Sequence, residues 1–207
     1  MPYTHTQFPG LTQQHIAEGA RLFADRQALV RALAPRGGVV TEVGVAAGDF
    51  SQFIIETLQP TRFYALDMFD MHKHPVIWGR PSSELFDNKT QLDYFRQRFA
   101  HEGSRVETRV GMSAGLLSAF ADETFDFIYI DAAHDYENVK QDAQVSTRKL
   151  KRDGLIVFND YTIIDVFSLE GYGVVQALNE LVVAGGWQVC GFALQHSMFC
   201  DIAIRRA

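Results

Sequence analysis

From residue 39 onward, apolar residues collect in runs of five or six, while the segments between them return to apolar positions every three or four residues. VVTEV (39–43), RFYAL (62–66), RVETRV (105–110), FDFIYI (125–130) and GLIVF (154–158) have the Val, Ile, Phe and Tyr content of strands. DFSQFIIETL, QLDYFRQRFA, SAGLLSAF, DYENVKQDAQVSTRKL and YGVVQALNELVVAGG have helical spacing, with Asp153-Gly154 and Gly185-Gly186 expected as stops. This alternation predicts a parallel sheet with helices on both faces. WQVCGFAL and MFCDIAIRR at the end are strand-like runs with only a short connection, so they must pair antiparallel. The expected fold is a doubly wound, Rossmann-like α/β domain with a seven-stranded, mostly parallel sheet and an antiparallel final strand.

Ahead of it, Ile16, Leu22, Phe23, Leu29, Val30 and Leu33 recur near helical spacing, so residues 1–37 read as an N-terminal helical segment and 38–207 as the ligand-binding domain. Residues 68–90 have no clear period and hold His72, His74, Trp78 and two prolines, the character of a lid or binding loop.

A length of 207 residues suits one domain, and 47% hydrophobic with 21% charged residues is a globular, soluble composition. The net charge of −6, without a Lys/Arg cluster on a helix face, weighs against nucleic acid and favours a small-molecule partner. The first ten residues lack the basic and apolar regions of a leader, and no apolar run approaches the ~20 residues of a bilayer span. A cytoplasmic protein that avoids membranes is expected, and self-association as a homo-oligomer stays open. Cys190 and Cys200, in the late strands, read as buried free thiols.

Candidate chemistry sits where strands end. TEVGVAAGDFS places Glu42, Gly44 and Gly48 at the first strand-to-helix turn, where glycine admits left-handed backbone angles and the helix N-terminus is electropositive. The dinucleotide pattern G-x-G-x-x-G is absent. Asp67 ends the second strand, placed to accept ribose hydroxyl protons, and together these features favour a nucleoside-containing ligand. Asp131, Asn159 and Asp160 emerge from two neighbouring strand ends, where three oxygens can converge on a hard cation such as Mg²⁺. His134 is a candidate general base. Gly111 to Gly115, GMSAG, spells the turn of a serine hydrolase, with Ser113, Asp160 and His196 in the required order.

EVGVAAG and ALD resemble the class I S-adenosylmethionine-dependent methyltransferases, over roughly residues 38–207. IDAAHDYENVKQD, LKRDGLIVFNDY and YGVVQALNEL resemble a narrower group, the small methyltransferases related to macrolide-sugar O-methyltransferases. The resemblance implies S-adenosylmethionine as cofactor, with Glu42, Gly44, Val45, Gly48, Asp67, Met68, Met112, Ser113 and Asp131 around it. The glycine turn would meet the amino-acid end, Asp67 the ribose, and Met112 and Ser113 the adenine. It further implies Mg²⁺ at Asp131, Asn159 and Asp160, with His134 and Asp131 catalytic, although Ala133 replaces a usual acid and Asn159 stands where relatives carry other residues. The implied activity is O-methylation of a small-molecule hydroxyl, metal-assisted; a serine hydrolase and a non-catalytic cofactor-binding module are the alternatives.

Overall fold

The computed structural model describes residues 7–207. Its elements are β1 (Ile16–Phe23), α1 (Arg26–Leu33), β2 (Val39–Val43), α2 (Asp49–Leu58), β3 (Arg62–Asp67), β4 (Val76–Ile77), β5 (Arg80–Pro81), α3 (Ser82–Leu85), α4 (Gln91–Arg98), β6 (Val106–Val110), α5 (Ser113–Ser118), β7 (Phe125–Ile130), α6 (Tyr136–Lys149), β8 (Leu150–Phe158), α7 (Val174–Val183), β9 (Trp187–Ala193) and β10 (Asp201–Arg206). The main sheet has eight strands in the order β1-β9-β10-β8-β7-β2-β3-β6. Only β10 runs against the others, antiparallel to both β8 and β9. The expected architecture is therefore present, with one strand more.

That strand corrects the reading of the N-terminal segment. Residues 16–23 are not helical but form β1, parallel to β9, and only from Arg26 does the chain become helical. Asp25 starts the helix by accepting a hydrogen bond from the Ala28 amide at 2.7 Å. The apolar positions that looked like one helical face divide between two elements: Leu22 and Phe23 belong to β1, Leu29 and Val30 to α1. Residues 1–6 of the segment lie outside the described residues. A second correction concerns the Asp153-Gly154 stop: α6 ends at Lys149, and both residues lie in an irregular first half of β8.

Central strands bury both faces. In β7, Phe127 and Tyr129 point to the layer of α1, α2 and α4, while Ile128 and Ile130 point to that of α5, α6 and α7. Alternation places successive side chains on opposite faces, which is why FDFIYI is apolar nearly throughout. Complete burial of a phenylalanine such as Phe63, Phe95 or Phe127 contributes about 1.5–3 kcal/mol. Residues 68–90 form a one-turn helix and a two-residue hairpin, pinned by Phe86 and Ile77 against Ala47.

The chain runs outward from β2 to β3 and β6, then returns to β7 on the other side of β2. The order reverses between β2 and β7, and ligands of open α/β sheets bind outside the carboxyl ends at such a point. Asp131 N bonds Val43 O at 2.7 Å and Gly44 N bonds Leu66 O at 2.8 Å, so both loops leave the sheet from adjoining positions.

Candidate functional site

A cleft of about 770 Å³ opens over the carboxyl ends of β2, β3, β7 and β8. Every residue expected at the cofactor except Gly48 lines it, as do His134, Asn159 and Asp160.

The glycine turn is dictated by packing. Gly44 and Gly48 have φ of +83° and +85°, a region disfavoured for residues with a Cβ. A Cβ on Gly44 would also stand 2.0 Å from the Asp131 carbonyl oxygen, and one on Gly48 2.8 Å from the Phe99 ring. The glycines therefore let β2 and β7 close on each other and α4 lie on the turn. Ala46 is left-handed at φ 45° without being glycine, as are Trp78 and Asp160, and all three line the cleft. Strain of this kind gathers at functional sites.

Asp67 ties the turn to the second loop. One carboxylate oxygen accepts from Val45 N at 2.8 Å, the other from Phe69 N at 2.6 Å. The latter, Oδ1, also accepts from Gln91 Nε2 at 3.4 Å, so Oδ2 is the oxygen that keeps a lone pair for a further donor. Burial raises the Asp67 pKa, against the pull of those amides. Glu42 is fully buried and accepts from the Ser51 hydroxyl; loss of water pushes its carboxyl well above the usual range.

His134 follows β7. Its Nε2 lies 3.7 Å from Asp131 Oδ1 and 3.5 Å from Asp160 Oδ2, buried and hydrogen-bonded to neither. The Tyr172 ring stacks on it at 4.6 Å between centroids and 12° between planes. Burial lowers the His134 pKa, so the ring is neutral at pH 7. Asp131 is pushed well up by burial, opposed by the Arg26 guanidinium, and Asp160 is raised to about 7, again chiefly by burial.

The expected metal ligands do not fit Mg²⁺. Arg26 Nη1 stands 3.5 Å from Asp131 Oδ2, so a cation of the protein already faces that carboxylate. Asn159 Nδ2 donates to Asp201 Oδ1 at 3.1 Å, turning the amide toward β10. Among the described residues no cluster of three or more His, Cys, Asp or Glu side chains has a metal-holding arrangement. The hydrolase reading also fails to assemble. Ser113 Oγ donates to Asp142 Oδ2 at 2.8 Å, Asp160 faces His134, and His196 is exposed. Cys190 and Cys200 are free and buried, as expected.

Sequence reading missed a buried polar network under the cleft. Arg26 Nη1 donates to Tyr129 Oη at 3.1 Å, and Tyr129 Oη donates to Asp201 Oδ2 at 2.7 Å. Gln195 Nε2 donates to Asp201 Oδ1 at 3.0 Å. The Arg26 guanidinium also lies 4.2 Å over the Phe50 ring. Its only local signal was Asp25, a helix cap immediately before it.

A family model described as a methyltransferase domain matches residues 41–161, more than half of the chain. No curated protein matches the chain. Among solved structures, a protein from Corynebacterium glutamicum is similar at 15% identity and TM-score 0.56, over 97% of this chain and 83% of that one. A cofactor-bound protein from MTB is 21% identical with TM-score 0.57, over 86% and 75%. An rRNA methylase from Streptococcus thermophilus is 10% identical with TM-score 0.57, over 87% and 93%. At these identities the likeness is one of fold. No helix among the described residues is long and apolar enough to cross a membrane.

Proposed function

Because the chain belongs to this methyltransferase-domain family, we propose that it transfers a methyl group from S-adenosylmethionine to a hydroxyl oxygen of a small molecule. The observation that carries the hydroxyl reading is the half-buried His134, its Nε2 between Asp131 and Asp160 and its pKa lowered by burial, at the mouth of β7 and β8.

The donor set suits this cofactor. Its sulfonium and ammonium are cationic, and the cleft is lined by Glu42, Asp67, Asp131 and Asp160. Glu42, Gly44, Val45 and Gly48 would hold its amino-acid end, Asp67 and Met68 the ribose, and Met112 and Ser113 the adenine. When bound, the sulfonium supplies an electrophilic methyl group. The rest falls to the chain: bind both partners in line, exclude water and take one proton.

Asp131 and Asp160 beside Nε2 keep the proton of the neutral ring on that nitrogen, which leaves Nδ1 as the base. As it accepts the hydroxyl proton, the growing positive charge favours the ionised forms of Asp131 and Asp160 beside Nε2, and Tyr172 holds the ring plane. Arg26 limits the repulsion among Asp131, Asp160 and Asp201 without a metal ion. Exposed Trp78 at the rim favours an acceptor with an apolar face. The acidic lining and the net charge of −6 disfavour a polyanionic acceptor such as RNA.

The test is transfer of label from methyl-labelled S-adenosylmethionine to a panel of phenols, hydroxy-acids and sugars. Ether products support the reading; methylation confined to carboxylate oxygen, nitrogen, carbon or RNA overturns it.

A further inference from the structure

An acidic cleft accounts for the cofactor's two positive groups and leaves its one negative group unexplained. The amino-acid end of S-adenosylmethionine ends in a carboxylate, and six acids line the cleft: Glu42, Asp49, Asp67, Asp70, Asp131 and Asp160. A carboxylate entering there is repelled unless a cation meets it. Among the described residues lining the cleft, only Arg26 and Arg80 are cationic. Arg80 stands exposed on the β4–β5 hairpin, whereas Arg26 is partly buried at the first turn of α1, on the side of the cleft that holds the glycine turn and Asp131.

Arg26 is also held still. Its plane rests on Phe50, the second residue of α2, at 4.2 Å. Its Nη1 is engaged by Tyr129 Oη at 3.1 Å and Asp131 Oδ2 at 3.5 Å, and its backbone N–H meets Gln195 Oε1 at 3.4 Å. Nε and Nη2 have no hydrogen-bond partner among the described residues, and the side chain is 33% exposed. A guanidinium fixed along one edge and open along another is preorganised for a carboxylate, because its planar fork matches that anion.

We infer that Arg26 is the residue that binds the carboxylate of the cofactor's amino-acid end, an inference that rests on the S-adenosylmethionine reading above. The same guanidinium then has two tasks: it compensates Asp131 on its Nη1 edge and recognises the methionine moiety on its open edge. The segment before the family-matched region, residues 41–161, thereby contributes directly to the cofactor site.

The experiment is calorimetric titration of the full chain with S-adenosylhomocysteine and with its decarboxylated analogue, which differs only in lacking the carboxylate. In the wild type, loss of the carboxylate should weaken binding about 10- to 100-fold, the range of a charge-assisted hydrogen-bonded pair. In Arg26→Met, S-adenosylhomocysteine should weaken by a similar factor, while the analogue binds within about three-fold of its wild-type affinity. Arg26→Gln, which keeps an amide to meet Tyr129 and Asp131, is the second variant, and should lose the same preference even if the methionine variant does not fold. Equal weakening of both ligands would mean that Arg26 only supports the network beneath the cleft, and would overturn the inference. A preference for the carboxylate that survives in either variant would overturn it too. A wild type that binds neither ligand overturns the cofactor reading itself, a different result from binding without Arg26 dependence.

Discussion

Arg26 Nη1 lies 3.5 Å from Asp131 Oδ2, so the carboxylate expected to hold a metal ion faces a cation of the protein instead. The site thus has its own positive charge, and among the described residues no group of three or more His, Cys, Asp or Glu could hold a metal ion. Methyl transfer should therefore persist in excess EDTA, with added Mg²⁺ changing kcat/KM by less than about two-fold. Dependence of turnover on a divalent ion would contradict this arrangement.

Removing the base should separate chemistry from binding. His134→Asn is expected to lower kcat by about 10²- to 10³-fold, the size of a lost general base. Affinity for S-adenosylhomocysteine should stay within a few-fold, since His134 faces the acceptor side. The measurement is steady-state turnover beside calorimetric affinity, and an unchanged kcat would remove His134 from the mechanism.

Gly44 is a stability residue as much as a site residue. Gly44→Ala forces a Cβ to within 2.0 Å of the Asp131 carbonyl oxygen at a φ of +83°. A loss of about 2–4 kcal/mol in urea denaturation is expected, more than an exposed left-handed glycine alone would give. A loss below about 1 kcal/mol would mean that the two loops part easily.

Much of this was legible in the chain. VVTEV and FDFIYI coincide with β2 and β7, because strands buried on both faces are mostly apolar, with Thr41, Glu42 and Asp126 as the polar exceptions. Glu42, Gly44, Asp67, Asp131 and His134 all reach the cleft, since the parallel topology delivers every strand's carboxyl end to one edge. β1 was misread because it is an edge strand with only Ala17 and Phe23 buried, which leaves no alternation to see. The metal set failed for another reason. Order along the chain tells which strand ends adjoin, but the direction of Asn159 is set by Asp201, from a strand about forty residues later. Arg26 had no motif at all; its partners Phe50, Tyr129 and Asp131 come from three other parts of the fold.

One buried carboxyl away from the proposed chemistry makes stability depend on pH. Asp142 is fully buried with one oxygen unpartnered, and burial raises its pKa from 3.8 to about 6. The folded state thus holds this proton more tightly than the unfolded chain. Its stabilising contribution is complete below the unfolded value of 3.8 and is lost as pH rises through about 6. Asp142→Asn should leave stability near pH 4 almost unchanged and raise it by about 1–2 kcal/mol at pH 8. Denaturation at the two pH values checks this, and an equal effect at both would refute the role of the proton.

The central claim is that the cleft between β2 and β7 holds S-adenosylmethionine. Calorimetric titration of the purified chain with S-adenosylhomocysteine tests it most directly, with Asp67→Ala in parallel. Saturable one-to-one binding with a Kd of about 1–100 μM, weakened at least ten-fold by the substitution, is the predicted result. Absence of binding by the folded wild-type chain, or binding indifferent to Asp67, would contradict it.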